Sequence, residues 1–131
     1  MSNAKTKARP WPEEIRLEKN KSIVRAVFDT GDAFELGAEY LRVHSPSAEV
    51  KGHGAAKRPR AVSGKRFVQI EDMKAIGNYA VRLVFDDGHD TGLYSWDYLY
   101  ELGRDEKRLW ADYLRRLAEE GSSREPEMGA I

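Results

Sequence analysis

Hydrophobic and polar residues alternate along three short segments in the first third of the chain. Segments 14–18, 22–28 and 33–36 have the period of two that is typical of half-buried β-strands. Gly31 stands between the second and the third, where a glycine accepts the positive φ of a hairpin turn. The pattern therefore predicts three strands, followed by a short helix over residues 37–43.

The second half of the chain shows a similar order of patterns after a long irregular stretch. Apolar residues fall on both faces of the predicted strand 78–85, which indicates an interior strand. Ser95 is a suitable N-cap for a helix, and Gly103 is a suitable residue just after a helix end. The elements predicted here are strands at 67–70, 78–85 and 89–94 and helices at 96–102 and 105–120.

The two halves also match residue by residue. The matched pairs are Val24 and Val81, Phe28 and Phe85, Asp29 and Asp86, Gly31 and Gly88, Leu36 and Leu93, and, after one inserted residue, Tyr40-Leu41 and Tyr98-Leu99. A hairpin plus a helix cannot bury its apolar face alone, so two such units are expected to share one core. This predicts an α+β fold: a small, mostly antiparallel sheet built from two repeated hairpin-plus-helix units, with the C-terminal helix packed on it.

The length of the chain, 131 residues, is that of one domain. We expect a disordered leader at 1–10, a single domain at 11–120 and a disordered tail at 121–131. The domain includes the C-terminal helix at 105–120, which has an apolar face around Trp110. That face belongs either to the core or to a dimer surface, so the pattern leaves both a monomer and a dimer open.

The composition narrows the classes of partner and site. The chain has no cysteine, so it cannot by itself build a disulfide, a thiolate metal site or the usual ligand set of an iron–sulfur cluster. Its 22 basic and 22 acidic side chains balance, which argues against binding nucleic acid or a membrane through the overall field. No apolar run has the length of a membrane span or the character of a signal peptide. We expect a cytoplasmic protein with no membrane partner.

His89 is the strongest candidate for a metal-binding residue. It stands among Asp86, Asp87 and Asp90, which could form a site for iron or zinc with oxygen and nitrogen ligands. His44 and His53 could join if the long loop folds over the hairpin. The competing interpretation is that the acids serve the turn, because turns favour Asp and Gly, and this interpretation is the stronger one.

A basic stretch follows the first predicted helix. Residues 44–64 form a loop too long for a simple connection, which indicates a functional or a disordered segment. Its basic side chains could bind the phosphates of a nucleic acid or a nucleotide, although a solvated loop is favoured at zero net charge. The residues concerned are Lys51, Lys57, Arg58, Arg60, Lys65 and Arg66.

Several short sequence motifs, separated along the chain, carry a family resemblance. They are Tyr-Leu-Arg-Val at 40–43, Ser-Pro-Ser-Ala-Glu-Val at 45–50 and Gly-His-Gly at 52–54, and they occur in order. Over about residues 11–103 the chain resembles the domain found at the N-terminus of γ-butyrobetaine hydroxylase and trimethyllysine hydroxylase, also called DUF971. It is similar to the short bacterial stand-alone members of that family.

The resemblance also implies where a metal would lie. In the eukaryotic hydroxylases the domain holds a structural zinc through three Cys, spaced C-x-C-x-x-C, and one His. The matching positions here are Ser45, Ser47 and Val50, with His89 at the histidine position. A hydroxyl is a poor zinc ligand and valine is none, so the resemblance implies the fold without its zinc.

The resemblance implies no catalytic role for this chain, because the catalytic double-stranded helix of the hydroxylases is absent. No catalytic or cofactor-binding residue is predicted, and whether the chain is an enzyme stays open, with the balance against it. The family also occurs fused to Mrp-type ATPases that carry iron–sulfur clusters. We therefore expect an interaction or accessory module whose partner is a protein, of the iron–sulfur or dioxygenase type.

Overall fold

The computed structural model describes residues 9–46 and 60–127. The first unit consists of β1 (Pro12–Leu17), β2 (Ile23–Phe28), β3 (Ala33–Gly37) and α1 (Ala38–Val43). The second unit consists of β4 (Ile70–Ile76), β5 (Ala80–Phe85), β6 (Leu93–Ser95) and α2 (Trp96–Arg104), and α3 (Glu106–Glu119) follows it. None of the helices in these two described ranges is long and apolar enough to cross a bilayer.

The strands form two antiparallel three-stranded sheets, in the orders β1-β2-β3 and β4-β5-β6. The predicted α+β fold of two repeated units with a C-terminal helix is confirmed. Each unit is larger than the predicted hairpin plus helix, because a further strand, β1 or β4, pairs with the hairpin from outside. The strands consequently divide between two small sheets instead of forming one.

Backbone detail shows that the two units are copies of one design. Each first strand shifts register at its start, where Pro12 lies opposite Phe28 and Ile70 lies opposite Phe85. The residue before that start, Trp11 or Gln69, donates its backbone N–H to the aspartate of the hairpin turn, in both cases at 3.1 Å. Matching irregularities of this kind are specific features of a fold, so the repeat extends to the tertiary level.

The strand register corrects one matched pair. Leu36 lies opposite Val24, and Tyr94 lies opposite Val81. Tyr94, and not Leu93, is therefore the counterpart of Leu36, and the extra residue of the second unit lies in its hairpin turn. Leu36 and Tyr94 are both completely buried, whereas Leu93 is exposed.

The core lies between the two units, and two tyrosines cross it reciprocally. Tyr40 on α1 donates its hydroxyl proton to the carbonyl of Leu102 near the end of α2, at 2.6 Å. Tyr98 on α2 does the same to the carbonyl of His44 after α1, also at 2.6 Å. Each unit therefore satisfies a backbone acceptor at the helix end of the other, where carbonyls lack partners within the helix.

Three predicted boundaries in the second unit are wrong. The strand predicted at 89–94 is β6, which begins only at Leu93. The strand predicted at 67–70 is β4, Ile70–Ile76, and Phe67 before it is 68% exposed. Ile70 is the only buried residue of β4, so the strand lacks the alternation that would have revealed it. Gly103 does not end α2, which continues to Arg104.

The chain after α3 is packed against the domain over its described residues, 121–127. Gly64 and Arg66 donate backbone N–H groups to the carbonyls of Ser123 and Arg124, at 2.9 and 3.0 Å. The Arg124 guanidinium makes two hydrogen bonds of 2.8 Å to the Glu39 carboxylate. This segment therefore connects α1 with the chain that leads into β4.

Candidate functional site

His89, the strongest candidate for a functional residue in the sequence, lies where the β5–β6 turn meets the end of α1. Gly88 has a φ of 94°, which turns the chain sharply before His89. The His89 N–H donates to the Asp87 carboxylate at 3.0 Å, and its carbonyl accepts from Phe85 at 3.0 Å. The turn thereby directs the imidazole towards Ser45. We call this region the polar corner; its members are Arg42, Ser45, Asp87, His89 and Gly92.

Ser45 and His89 are in direct contact across the polar corner. The Ser45 Oγ and the His89 Nε2 are 2.8 Å apart, which is a hydrogen bond. Gly92 makes the approach possible, because a Cβ at this position would lie 2.2 Å from the Ser45 Oγ. Two residues that are 44 positions apart in the chain are thus joined by a bond that any larger residue at position 92 would disturb.

Asp87 forms ion pairs with Arg42 and Lys65. Its carboxylate lies 2.8 Å from the Arg42 Nε and 2.6 Å from the Lys65 Nζ, and its side chain is 18% exposed. Partial burial acts to raise the pKa of Asp87, but hydrogen bonds from Lys65, the His89 backbone and Arg42 outweigh it and lower the pKa to about 2. The carboxylate is therefore charged at neutral pH and is engaged by two cations.

His44 has a separate set of contacts. Its Nδ1 lies 2.9 Å from the carbonyl of Tyr40, and because a carbonyl only accepts, that nitrogen carries the proton. The ring packs on Tyr40 with 4.7 Å between the centroids. Burial lowers the pKa of His44, an effect that the Tyr40 hydrogen bond opposes, so the ring is neutral at pH 7.

Among the described metal candidates, His44 and Asp90 make contacts of their own and do not join His89 in a metal site. Asp90 lies beside Arg82, with 3.8 Å between the charged groups. Within 9–46 and 60–127, no group of three or more His, Cys, Asp or Glu side chains is placed to hold a metal ion. His53 lies outside the described residues, as do Ser47 and Val50.

The described members of the basic stretch contact neighbouring parts of their own chain. Arg60 lies 3.3 Å from the Ser122 hydroxyl, and Lys65 is paired with Asp87. Arg66 forms an ion pair with Glu125. The Arg60 and Arg66 contacts hold the stretch against the segment after α3, and the Lys65 contact joins it to the β5–β6 turn. Lys51, Lys57 and Arg58 lie outside the described residues.

The sequence pattern did not reveal two members of the polar corner as site residues. Arg42 lies on α1 and Gly92 directly precedes β6, and no common spacing relates them to His89. The one local signal is the step from Asp87 to His89, where a carboxylate caps the N–H two residues on. Gly92 could be recognised only from its close approach to Ser45 in three dimensions.

The comparisons with known proteins identify the family. The profile of the gamma-butyrobetaine hydroxylase-like N-terminal domain matches residues 15–100. The chain belongs to this family. None of the curated proteins matches the chain.

Solved structures of family members share the fold. Two proteins with NMR solution structures are 47% and 48% identical to this chain, with TM-scores of 0.79 and 0.74. The alignments cover 92% and 91% of this chain and 94% and 88% of those proteins. A crystal structure of a protein of unknown function in the DUF971 family, from Acidithiobacillus ferrooxidans, is 34% identical with a TM-score of 0.58. That alignment covers 70% of this chain and 91% of that one.

The polar corner includes two of the four positions at which the family resemblance places zinc ligands, Ser45 and His89. Their contact is direct, so the positions converge in this chain as the resemblance implies. A structural zinc takes four thiolate, imidazole or carboxylate ligands. A hydroxyl and one imidazole do not make such a set, and the nearest carboxylate, Asp87, is engaged by Arg42 and Lys65. The described residues of this corner do not fit a structural zinc.

Proposed function

We propose that this member of the gamma-butyrobetaine hydroxylase-like N-terminal family is a non-catalytic interaction module that binds a protein partner through exposed aromatic side chains. The observation that carries the proposal is the position of Trp11 and Tyr79. They are 50% and 54% exposed and line the same cavity together with Trp96. Exposed aromatic residues gathered at one concave site are typical of protein-binding surfaces.

The polar corner supports the same proposal from the other direction. Its charged groups are paired within the chain, and His89 is in contact with Ser45. A group that acts in acid–base or metal chemistry needs a position open to substrate or metal. The contacts of this corner instead connect α1, the β5–β6 turn and the segment before β4, which is a structural role.

The class of partner is inferred from the family. Members fused to ATPases that carry iron–sulfur clusters support an iron–sulfur or dioxygenase-type protein as the partner. The chain then acts as an accessory that brings such a protein into position. The absence of cysteine agrees with this division of labour, because any cluster ligands would come from the partner.

The test is affinity capture with matched variants. The full chain, a Trp11→Ala/Tyr79→Ala variant and a Phe67→Ala control are used as baits in an extract of the native cell. Phe67 is also exposed but does not line the same cavity. We expect an iron-containing protein on the unchanged chain and on the control, and its loss from the double variant. Circular dichroism verifies that all three are folded.

Two results would contradict the proposal. One is that no protein distinguishes the double variant from the control when binding is repeated with purified components. The other is that the purified chain binds iron or zinc stoichiometrically and loses it in a His89→Ala variant, which would favour the metal-binding alternative. The nucleic-acid alternative would be favoured by salt-sensitive RNA or DNA binding that charge reversal at Arg58 and Arg60 abolishes.

A further inference from the structure

A cavity of about 220 Å³ lies between the segment that precedes β1 and the start of α2. We call it the aromatic cavity. It is lined by Arg9, Pro10, Trp11, Tyr79, Ser95, Trp96 and Asp97. It is thus a surface recess with three aromatic rings, one acid and one base, and it is separate from the polar corner.

Side-chain contacts orient Trp96 and, through it, Trp11, which are two of the three aromatic residues of this cavity. The Trp11 and Trp96 rings meet edge to face, with 6.5 Å between the centroids and 77° between the planes. The Trp96 indole N–H donates to the carbonyl of Asn78 at 2.7 Å, and the Trp11 backbone N–H donates to Asp29. Rings held in this way lose little freedom when a ligand arrives, which favours binding.

The one acidic side chain of the cavity, Asp97, lies on a helix. Asp97 lies in the first turn of α2, whose N-cap, Ser95, accepts a hydrogen bond from the backbone of Tyr98. The Arg9 Nε lies 3.4 Å from the Asp97 carboxylate. The chain therefore already places one guanidinium at the mouth of the aromatic cavity.

That internal guanidinium is loosely held. The Arg9 side chain is 78% exposed and the Asp97 side chain is about half exposed. An exposed ion pair of this kind contributes little to stability, because water screens it and a long side chain must be ordered. A second guanidinium could replace Arg9 at small cost. A planar guanidinium also stacks on aromatic faces while it bonds a carboxylate in a fork, which a lysine ammonium does less well.

We infer that the aromatic cavity binds an arginine side chain of the partner protein. Asp97 accepts the charge of this arginine, the aromatic rings stack against its plane, and Arg9 is the group that it displaces. The inference rests on the proposed interaction function and specifies the chemistry of the partner: an exposed arginine on a segment able to enter a shallow recess.

The test is a titration of the full chain with the peptide acetyl-Gly-Arg-Gly-amide, followed by NMR through the indole N–H signals. The chain has three tryptophans, and Trp110 serves as an internal reference because it lies on α3 under Arg124. We expect saturable shifts at Trp11 and Trp96 and none at Trp110. The matching citrulline peptide, which has the same shape without the charge, should bind at least tenfold more weakly.

Variants then separate the internal competitor from the acceptor. Arg9→Ala should bind the arginine peptide about fivefold more tightly, because an exposed pair no longer competes. Asp97→Asn should bind it at least tenfold more weakly. Asp72→Asn is the control, because Asp72 is also an exposed acid beside a base, Lys74, and lies on β4.

The inference is overturned if arginine and citrulline peptides bind equally, if Arg9→Ala shows no binding, or if Asp97→Asn behaves like the control. These outcomes are distinct from failure of the proposed function. A partner captured through Trp11 and Tyr79 with no arginine binding would overturn this inference alone. Arginine binding with no partner captured would overturn the proposed function and leave the site in place.

Discussion

The two units have the same backbone arrangement but carry different side chains where a hairpin meets the end of the other unit's helix. In the first unit, the β2–β3 turn meets the end of α2, and the Phe34 ring packs on Gly103, where a Cβ would lie 2.3 Å from the ring. In the second unit, the β5–β6 turn meets the end of α1, and Gly92 faces Ser45 in the same way. We call the first region the apolar corner; its members are Phe28, Asp32, Phe34, Tyr100 and Gly103.

The two corners have exchanged the large and the small residue. In the apolar corner the strand supplies the ring and the helix supplies the glycine. In the polar corner the glycine is Gly92, which directly precedes β6, and Ser45, which follows α1, fills the space. A bond from a helix to the turn of the other unit also occurs twice, from Tyr100 to Asp32 and from Arg42 to Asp87.

The difference teaches that the repeated backbone does not dictate polarity. Phe34 fills the apolar corner with ring contacts to Phe28 and Tyr100, at 6.1 and 5.6 Å between centroids. With glycine at position 92, the second corner has room for polar side chains, and Ser45 and His89 occupy it. The family resemblance implies zinc-ligand positions, Ser45 and His89, in this second corner, and the exchange decides that this corner is the polar one.

The largest effect is expected from restoring sulfur ligands to the polar corner. A Ser45→Cys/Ser47→Cys/Val50→Cys variant should bind one zinc per chain together with His89, with a binding free energy of about 10 kcal/mol. Gly92 already allows the Ser45 Oγ to approach closely, and a cysteine sulfur would take the place of that oxygen. Zinc content and the chelator dependence of Tm measure the result.

The control for this prediction carries His89→Ala in addition. It should bind zinc at least tenfold more weakly, because one of four ligands is lost. If the triple variant takes up no zinc, the ligand positions in the polar corner are not arranged for a metal. A metal site then does not explain why this corner is polar and the other is apolar.

The second effect concerns the glycine of the apolar corner. Gly103→Ala should destabilise the fold by about 2 kcal/mol, because the new methyl group meets the rigid Phe34 ring. Helix propensity alone predicts the opposite, a gain of about 1 kcal/mol. Urea denaturation distinguishes the two. Adding Phe34→Leu should recover part of the loss, and strict additivity of the two changes would contradict the proposed contact.

The third effect is the pH dependence of the polar corner. The folded pKa of Asp87, about 2, is below its ordinary value of 3.8, so the folded state binds this proton less readily than the unfolded chain. The contribution to stability is present above about pH 4 and is lost as the pH falls towards 2. We expect about 1–2 kcal/mol, since solvent screens part of the interaction.

The measurement is the difference in unfolding free energy between the unchanged chain and Asp87→Asn as the pH is lowered. This difference removes the contributions of the other acids. It should be largest near neutral pH, decrease below about pH 4 and be mostly lost at pH 2. A difference that stays constant from pH 6 to pH 2 would show that the pairs with Arg42 and Lys65 contribute nothing.

The smallest effect is expected at Gly92. In Gly92→Ala, the Ser45 hydroxyl must rotate away from the new methyl group and lose its bond to His89, at a cost of about 1 kcal/mol. A serine hydroxyl can turn, whereas the Phe34 ring cannot, so this loss should be smaller than that of Gly103→Ala. Ser45→Ala removes the same bond, and the double variant should therefore cost less than the sum.

Local patterns were sufficient to predict much of the fold. The alternation in β2 and the Gly31 turn determine the first hairpin, and the N-cap at Ser95 determines where α2 begins. The short family motifs were sufficient to identify the domain, and the profile match over residues 15–100 confirms this identification. These features depend on neighbours within a few residues, where spacing and turn chemistry act directly.

The sequence by itself determined the repeat and the α+β class. Only the tertiary structure decided that Leu36 corresponds to Tyr94, that α2 continues through Gly103, and that residues 121–127 pack on the domain. It also decided which corner is polar. Gly92 and Gly103 cannot be distinguished by residue type in the sequence. Their roles depend on whether a serine or a phenyl ring approaches from a distant segment, and contacts between distant segments leave no periodic trace along the chain.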